Sequence, residues 1–218
     1  MPVYCETWLY GYGNFPAEPL NAGTSLMPVL LGALAFCFLI RRREGGPVVY
    51  LLAALLIATG LGSTAWHATR EQVALTADTV PGLLYFAVML FFWIYYLGGR
   101  LWGFLPLAAI ALLIHFLWPL SHEALFITLG TFVAILTFGL LGLSYRRRPI
   151  VFKLALPTVG FAALALALRS IDLHVCKTMP FGTHFFWHIF LGIAAFAGIR
   201  MMVAARDSKI AAISQTAK

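Results

Sequence analysis

The sequence predicts an all-α integral membrane protein, a bundle of seven transmembrane helices that forms one domain over residues 1–218. Hydrophobic residues make up 61% of the chain and charged residues 11%, whereas a soluble domain carries about 25% charged residues. The apolar residues are gathered in blocks, and about 20 apolar residues suffice for a helix to cross a bilayer. Because a chain inside lipid must satisfy its own backbone hydrogen bonds, we expect each block to be helical.

Seven such blocks follow one another along the chain. Short connections rich in glycine, proline and charge separate them, among them "RRREGGP" and "YRRRPI", as is typical of helix ends at the membrane interface. The first block has no basic segment before it, so we expect it to be retained rather than cleaved as a signal peptide. The predicted spans, which leave no room for a second domain, are 21–40, 47–67, 74–97, 102–118, 123–144, 150–169 and 184–204.

The basic residues are distributed unequally between the two sides of this bundle. Twelve of the fifteen lysine and arginine residues fall on one side, and only Arg70, Arg169 and Lys177 fall on the other. By the positive-inside rule, the C-terminus is then cytoplasmic and the N-terminus lies outside. Contact of basic loops with anionic lipid accounts for the net charge of +7, so the composition indicates no nucleic-acid partner, and no protein partner is inferred.

The three cysteines fall in two environments. Cys37 lies within the first predicted span, where we expect a packed thiol. Cys5 and Cys176 both fall on the predicted outer side, where an oxidising compartment permits a disulfide between them. Two free outer thiols are an equally good interpretation of these residues alone.

Polar residues of three predicted spans lie at one depth, in the outer part of the bilayer. His67 ends the second span, and Asp78 lies near the start of the third. His184 and His188 begin the seventh span. Ser63 precedes His67 by four residues, as His184 precedes His188, so the members of each pair share a helical face. Ionisable residues inside spans are costly, and by default they mark a functional site.

The three histidines match the ligand set of a catalytic zinc ion, which uses three protein ligands and an open fourth position. His184 and His188, four residues apart, supply two ligands from one helix, and His67 adds the third from another. Asp78 would accept a proton from the metal-bound water, and Ser63 would hydrogen-bond that water or a developing oxyanion. A single histidine in a membrane core is more often a hydrogen-bonding core residue, but this combination favours a metal site.

Three blocks of the sequence carry a resemblance to a known family. They are "CETWLYGYGNFPAEPLNAGTSL", "GLGSTAWHAT" followed by "ALTADTVP", and "RSIDLHVC" followed by "GTHFFWH". These blocks resemble the signature blocks of the alkaline ceramidases, which belong to a wider superfamily of seven-span membrane hydrolases that includes the adiponectin receptors. The resemblance runs in order from residue 5 to about residue 190, while the helices between the blocks match only in hydrophobicity.

The resemblance implies roles for individual residues of the predicted zinc site. In that family three histidines bind zinc, and they correspond to His67, His184 and His188 in this sequence. The family's serine and aspartate, which contact the zinc-bound water, correspond to Ser63 and Asp78. The implied site is therefore the one that topology and spacing also predict.

The resemblance further implies a calcium ion held by the N-terminal segment, and a disulfide. The positions that match calcium ligands are Glu6, Glu18 and Asn21. Two other ligand positions of the family fall on Val3 and Trp8, and calcium prefers about six to eight oxygen ligands. Solvated or helix-capping glutamates are therefore an equally good interpretation of this segment. The family's bridge between its N-terminal and last outer cysteines corresponds to Cys5 and Cys176.

These observations predict a zinc-dependent amidohydrolase that cleaves the amide bond of ceramide or a similar lipid with a long acyl chain. Two alternatives stay open: a lipid esterase or phospholipase-type hydrolase with the same metal centre, and a non-enzymatic seven-span receptor with structural zinc. A closed site with four protein ligands would favour the receptor, but only three histidines are found. The short loops suggest a compact prokaryotic form in an inner membrane, with its active site towards the periplasm.

Overall fold

The computed structural model describes residues 3–11, 13–42, 46–98, 101–117 and 122–216. Within these ranges the chain is helical and contains no β-strand, which confirms the all-α prediction for this part of the chain. Besides α-helices, the described ranges contain one short 3₁₀ helix at Leu101–Gly103. The helices are α1 (Cys5–Tyr10), α2 (Pro19–Thr24), α3 (Leu26–Arg42), α4 (Pro47–Thr69), α5 (Gln72–Gly98), α6 (Phe104–Leu117), α7 (His122–Arg147), α8 (Pro149–Val175) and α9 (His184–Thr216).

Five helical stretches among the described residues are long and apolar enough to cross a membrane. They are Pro19–Arg41, Pro47–Thr69, Gln72–Gly98, Pro149–Val175 and His184–Ala211. They correspond to the first, second, third, sixth and seventh predicted spans, so the chain is a multi-pass membrane protein. The fourth predicted span contains the 14-residue α6, about 21 Å long at the rise of an α-helix, and the fifth lies in α7. The count of seven spans and the orientation of the termini stay predictions.

The spans carry apolar side chains on their surface. Leu30, Leu61 and Leu83 are all more than half exposed, although a soluble protein would bury most leucines. This exposure is what contact with lipid tails requires. The expectation for Cys37 is wrong: its thiol is exposed rather than packed in the interior, because it lies on the face of α3 opposite the buried residues Ala35 and Leu39.

The described chain divides into two compact units, of which the first contains Met1–Phe86 and Pro157–Arg200, and the second contains Ala87–Leu156 and Met201–Lys218. In the second unit, Trp93 Nε1 donates to Ser144 Oγ at 3.0 Å, and Arg147 donates to the carbonyl of Leu97 at 2.9 Å. These two hydrogen bonds connect α5 with α7. All the site residues predicted from the sequence lie in the first unit.

Glycine residues let α4 pack closely against its neighbours in the first unit. A methyl group on Gly60 would lie 2.8 Å from the backbone nitrogen of Val29 in α3. One on Gly62 would overlap the backbone of Ala77 and Asp78 in α5. Small residues at helix interfaces permit such close backbone approach in membrane proteins. This contact brings the third span against the polar end of α4.

A disulfide links the N-terminal segment to the connection between α8 and α9. Cys5 and Cys176 form a disulfide across 171 residues, with their Cα atoms 5.2 Å apart, so the bridge that the resemblance implied is present. Between α8 and α9, Gly182 has a φ of +68°, and a methyl group there would collide with Asp172 and Cys5. Glycine is therefore needed at this turn both for its backbone conformation and for space.

Candidate active site

Three buried histidines lie together in the first unit. His67 is in the last turn of α4, and His184 and His188 are in the first two turns of α9. One ligand atom from each of the three lies within 4.8 Å of the other two, and the ring centroids of His67 and His188 are 4.8 Å apart. None of the three is more than 4% exposed. The structure therefore brings together the three residues that the sequence predicted as metal ligands, in an arrangement that could hold a metal ion.

Ring nitrogens of this cluster lack hydrogen-bond partners among the described residues. Both ring nitrogens of His184 and Nε2 of His188 are buried and have no such partner. A buried polar atom without a partner costs about 1–3 kcal/mol, so several of them in one cluster indicate that a ligand outside the polypeptide completes it. Neutral imidazoles are ligands that zinc prefers, and three of them leave the open position of a catalytic site. The residues present fit a zinc ion.

The ring of His67 is held by a carboxylate. Its Nδ1 forms a short hydrogen bond with Glu18, which is fully buried and lies just before α2. A hydrogen bond at one ring nitrogen sets the tautomer and leaves the other nitrogen for a metal. Burial by itself raises the pKa of Glu18, but hydrogen bonds from His67 and Thr7 and the positive charge of Arg70 outweigh burial and lower it. Glu18 is therefore ionised at neutral pH.

Ser63 and Asp78 lie side by side next to this cluster. Ser63 is buried one turn before His67, and its hydroxyl interacts with the carboxylate of Asp78, which is partly buried. Asp78 also interacts electrostatically with His67. Ser25 Oγ donates to Ser63 Oγ at 3.1 Å and so limits the rotation of that hydroxyl. The close approach of α4 and α5 at Gly62 accounts for this pairing of residues from two helices.

Tyr4 and Arg169 form one border of the cluster. The Tyr4 ring stacks on His184 with the centroids 3.8 Å apart and the planes 14° from parallel. Burial raises the pKa of Tyr4, while a hydrogen bond and the positive charge of Arg169 act in the opposite direction. The Arg169 guanidinium also lies over the ring of Trp187, at 5.1 Å from its centroid. An aromatic hydroxyl and a cation thus lie beside the histidines and Asp78.

The residues that match calcium ligands do not fit a calcium ion. The oxygens of Glu6 accept the backbone N–H groups of Leu20 at 2.6 Å and Asn21 at 2.9 Å, so this carboxylate caps the start of α2. Burial raises the pKa of Glu6, and these two hydrogen bonds oppose the rise. The oxygens of Glu18 are taken by other donors. Asn21 Oδ1 has no partner among the described residues, but one amide oxygen falls far short of the about six to eight that calcium needs.

Sequence reasoning missed four residues that complete the surroundings of the histidines. They are Tyr4, Thr7, Arg70 and Arg169. The sequence does contain a signal for the two arginines. They are two of only three basic residues on the predicted outer side, where the positive-inside rule disfavours basic residues. The sequence contains no comparable signal for Tyr4 and Thr7. They precede the first span, in and next to a six-residue helix that is too short for hydrophobic periodicity to predict which way a side chain faces.

Comparison with known proteins agrees with this geometry. A sequence model of the family "Ceramidase" matches residues 3–213, a range that includes all three histidines, Ser63 and Asp78. A comparison with curated proteins found no match. Because the family match extends over nearly the whole chain, the resemblance to the alkaline ceramidases is confirmed, and the protein belongs to the ceramidase family of hydrolases.

Proposed function

We propose that the protein is a zinc-dependent hydrolase that cleaves the amide bond of ceramide, or of a similar N-acyl lipid, and releases a fatty acid. The observation that carries this proposal is the buried cluster of three histidines beside the Ser63–Asp78 pair in a member of the ceramidase family. A structural metal would need neither an adjacent carboxylate nor an open position. The arrangement of these side chains therefore supports catalysis.

His67, His184 and His188 would hold the metal. When bound, zinc would supply Lewis-acid polarisation of a carbonyl group and would lower the pKa of a water molecule towards about 7. The roles of the remaining residues follow from their positions. The Asp78 carboxylate, close to His67, would take a proton from the attacking water and later return it to the leaving amine.

Ser63 would act on the developing charge. Its hydroxyl is buried beside Asp78, so it is placed to donate a hydrogen bond to the carbonyl oxygen as that oxygen becomes negative. Water adds to the carbonyl carbon, and the carbon–nitrogen bond breaks. The products are a fatty acid and a free amine, and the proton that Asp78 removed from the water ends on that amine.

The predicted topology completes the proposal. With the N-terminus outside, the ends of α4 and α9 that carry the histidines lie towards the outer face of the membrane, the periplasmic side of a bacterial inner membrane. A lipid substrate would then reach the site from the outer leaflet, with its acyl chain in the apolar interior. The 218 residues would act as one seven-span domain.

The test is fatty-acid release from a panel of lipids by the purified protein, together with its metal content. We expect about one zinc per chain, and release from ceramide or another N-acyl lipid. Release from esters or phospholipids, but from no amide, would favour the second hydrolase class. Stoichiometric zinc without release from any lipid would favour a receptor.

A further inference from the structure

The N-terminal segment is bound to the end of α4 through the backbone. The N–H of Ala17 donates to the carbonyl of Ala68 at 3.0 Å, and the N–H of Glu18 donates to the carbonyl of His67 at 2.9 Å. The last carbonyl groups of a helix have no partner within that helix, and here the N-terminal segment supplies partners for two of them. Glu18 therefore contacts His67 twice, through its backbone N–H and through its carboxylate.

The Glu18 carboxylate has a partner for each of its lone-pair positions. Oε1 accepts a short hydrogen bond from Thr7 and forms an ion pair with Arg70 at 2.9 Å. Oε2 accepts a short hydrogen bond from His67 and one from Asn21 Nδ2 at 3.2 Å. An ionised carboxylate offers about four acceptor positions, so four partners use them all. A metal cation could bind Glu18 only by displacing one of these donors.

Arg70 is built into the place from which it contacts Glu18. It is the C-cap of α4 in the left-handed conformation, with a φ of 58°, and its N–H donates to the carbonyl of Trp66 at 2.7 Å. Its guanidinium lies over the Trp66 ring at 4.2 Å from the centroid, and the residue is only 5% exposed. A buried arginine needs a partner of opposite charge, and Glu18 is that partner.

We propose that Glu18 is a positioning residue for His67 and that Arg70, rather than a divalent cation, supplies the positive charge that holds Glu18 in place. Glu18 keeps the proton of His67 on Nδ1 and leaves Nε2 for the metal, because a carboxylate behind a ligating histidine fixes its tautomer and ring orientation. The N-terminal segment then docks on the histidine cluster without calcium. This inference rests on the proposed role of the three histidines as metal ligands.

The first test measures zinc affinity in the Glu18→Gln variant. We expect its dissociation constant for zinc to rise by about 10–100-fold, the usual effect of removing a carboxylate behind a metal-binding histidine. The visible absorption bands of the cobalt(II)-substituted protein should also shift, since they report ligand geometry, which a loss of stability alone would not change. Glu71→Gln makes the same change at an exposed glutamate and should leave both readouts at the wild-type values.

The second test examines the cation itself. Calcium is added stepwise to the zinc-loaded wild-type protein, because a chelator would withdraw zinc as well. We expect no calcium binding by calorimetry and no change in melting temperature up to millimolar calcium. Arg70→Gln should weaken zinc binding in the same direction as Glu18→Gln, whereas Arg70→Lys, which keeps the charge, should retain more affinity. Lys177→Gln, an exposed cation on the same predicted side, is the control.

Each outcome of these tests decides between specific possibilities. Stoichiometric calcium binding by the wild type would overturn the role of Arg70, and this measurement does not require any variant to fold. Unchanged zinc affinity and cobalt spectrum in Glu18→Gln would overturn the role of Glu18. A wild-type protein that binds no zinc would instead overturn the proposed function, so the two failures are distinguishable.

Discussion

Asp172 Oδ1 accepts a hydrogen bond from the backbone N–H of His184 at 2.8 Å. The same oxygen accepts the N–H of Thr183 at 2.7 Å, and Oδ2 accepts the N–H of Cys5 at 3.0 Å. A carboxylate at the start of a helix satisfies N–H groups that have no partner within the helix, and it interacts favourably with the helix dipole. One side chain of α8 thus fixes where α9 begins, and with it the position of His184, while it also binds the N-terminal segment.

Asp172→Asn should destabilise the protein. Asparagine keeps one acceptor oxygen but loses the charge, and its amide group would face N–H donors. Loss of hydrogen bonds to a charged group costs about 1.5–3 kcal/mol, which we expect to see as a lower melting temperature in detergent. Asp207→Asn, at a carboxylate with 55% of its side chain exposed, should melt like the wild type. Equal melting temperatures for both variants would contradict a structural role for Asp172.

Each single replacement of the three histidines by alanine should remove zinc. The three side chains form one buried group that could hold a metal ion, and each replacement leaves only two of its three imidazoles. The measurement is zinc per chain by elemental analysis of the purified variants, with His174→Ala, at an exposed histidine, as the control. Near-stoichiometric zinc in the His184→Ala, His188→Ala double variant would remove these residues from the metal site.

Asp78→Asn should separate chemistry from metal binding. The three histidines complete the protein ligands of the predicted site, so the variant should keep its zinc. If Asp78 moves the proton, turnover per zinc should fall on the order of 10²-fold or more, the usual scale of general acid–base catalysis. The measurement is fatty-acid release divided by zinc content. Wild-type turnover per zinc would exclude Asp78 from the mechanism.

Gly62→Ala should disturb the Ser63–Asp78 pair without changing either side chain. The added methyl group would overlap the backbone of Ala77 and Asp78, so α4 and α5 must move apart. We expect reduced turnover per zinc and a lower melting temperature, with zinc retained because the histidines are on α4 and α9. Gly160→Ala is the matched control, since a methyl group there meets no atom within 4 Å. Equal effects of the two changes would contradict close packing at Gly62.

The disulfide should contribute to stability. It closes a loop of 171 residues, and constraining the unfolded chain over such a length stabilises the folded state by about 2–5 kcal/mol. Cys5→Ser and Cys176→Ser should each lower the melting temperature, while Cys37→Ser should not. Non-reducing mass spectrometry should find a peptide that links Cys5 to Cys176. Complete alkylation of both thiols in protein from an oxidising compartment would rule out the bridge.

The sequence by itself determined the helical membrane architecture and the residues of the histidine cluster. Hydrophobic blocks predict spans because the bilayer permits few other structures, and five of the seven predicted spans coincide with helices that are long and apolar enough to cross. The spacing of His184 and His188 places them on one face of one helix, and topology places His67 at the same depth. These inferences depend only on helix geometry, which is local, and on membrane thickness.

Only the tertiary structure decided which polar groups contact these histidines. Glu18 and His67 are 49 residues apart, and their contact depends on how the N-terminal segment meets the end of α4. The family resemblance placed Glu18 among calcium ligands, whereas in the structure Arg70 and three hydrogen-bond donors surround its carboxylate. The physical reason is that a buried carboxylate must be neutralised by whichever donors the fold brings nearest, and no periodicity along the chain records which donors those are.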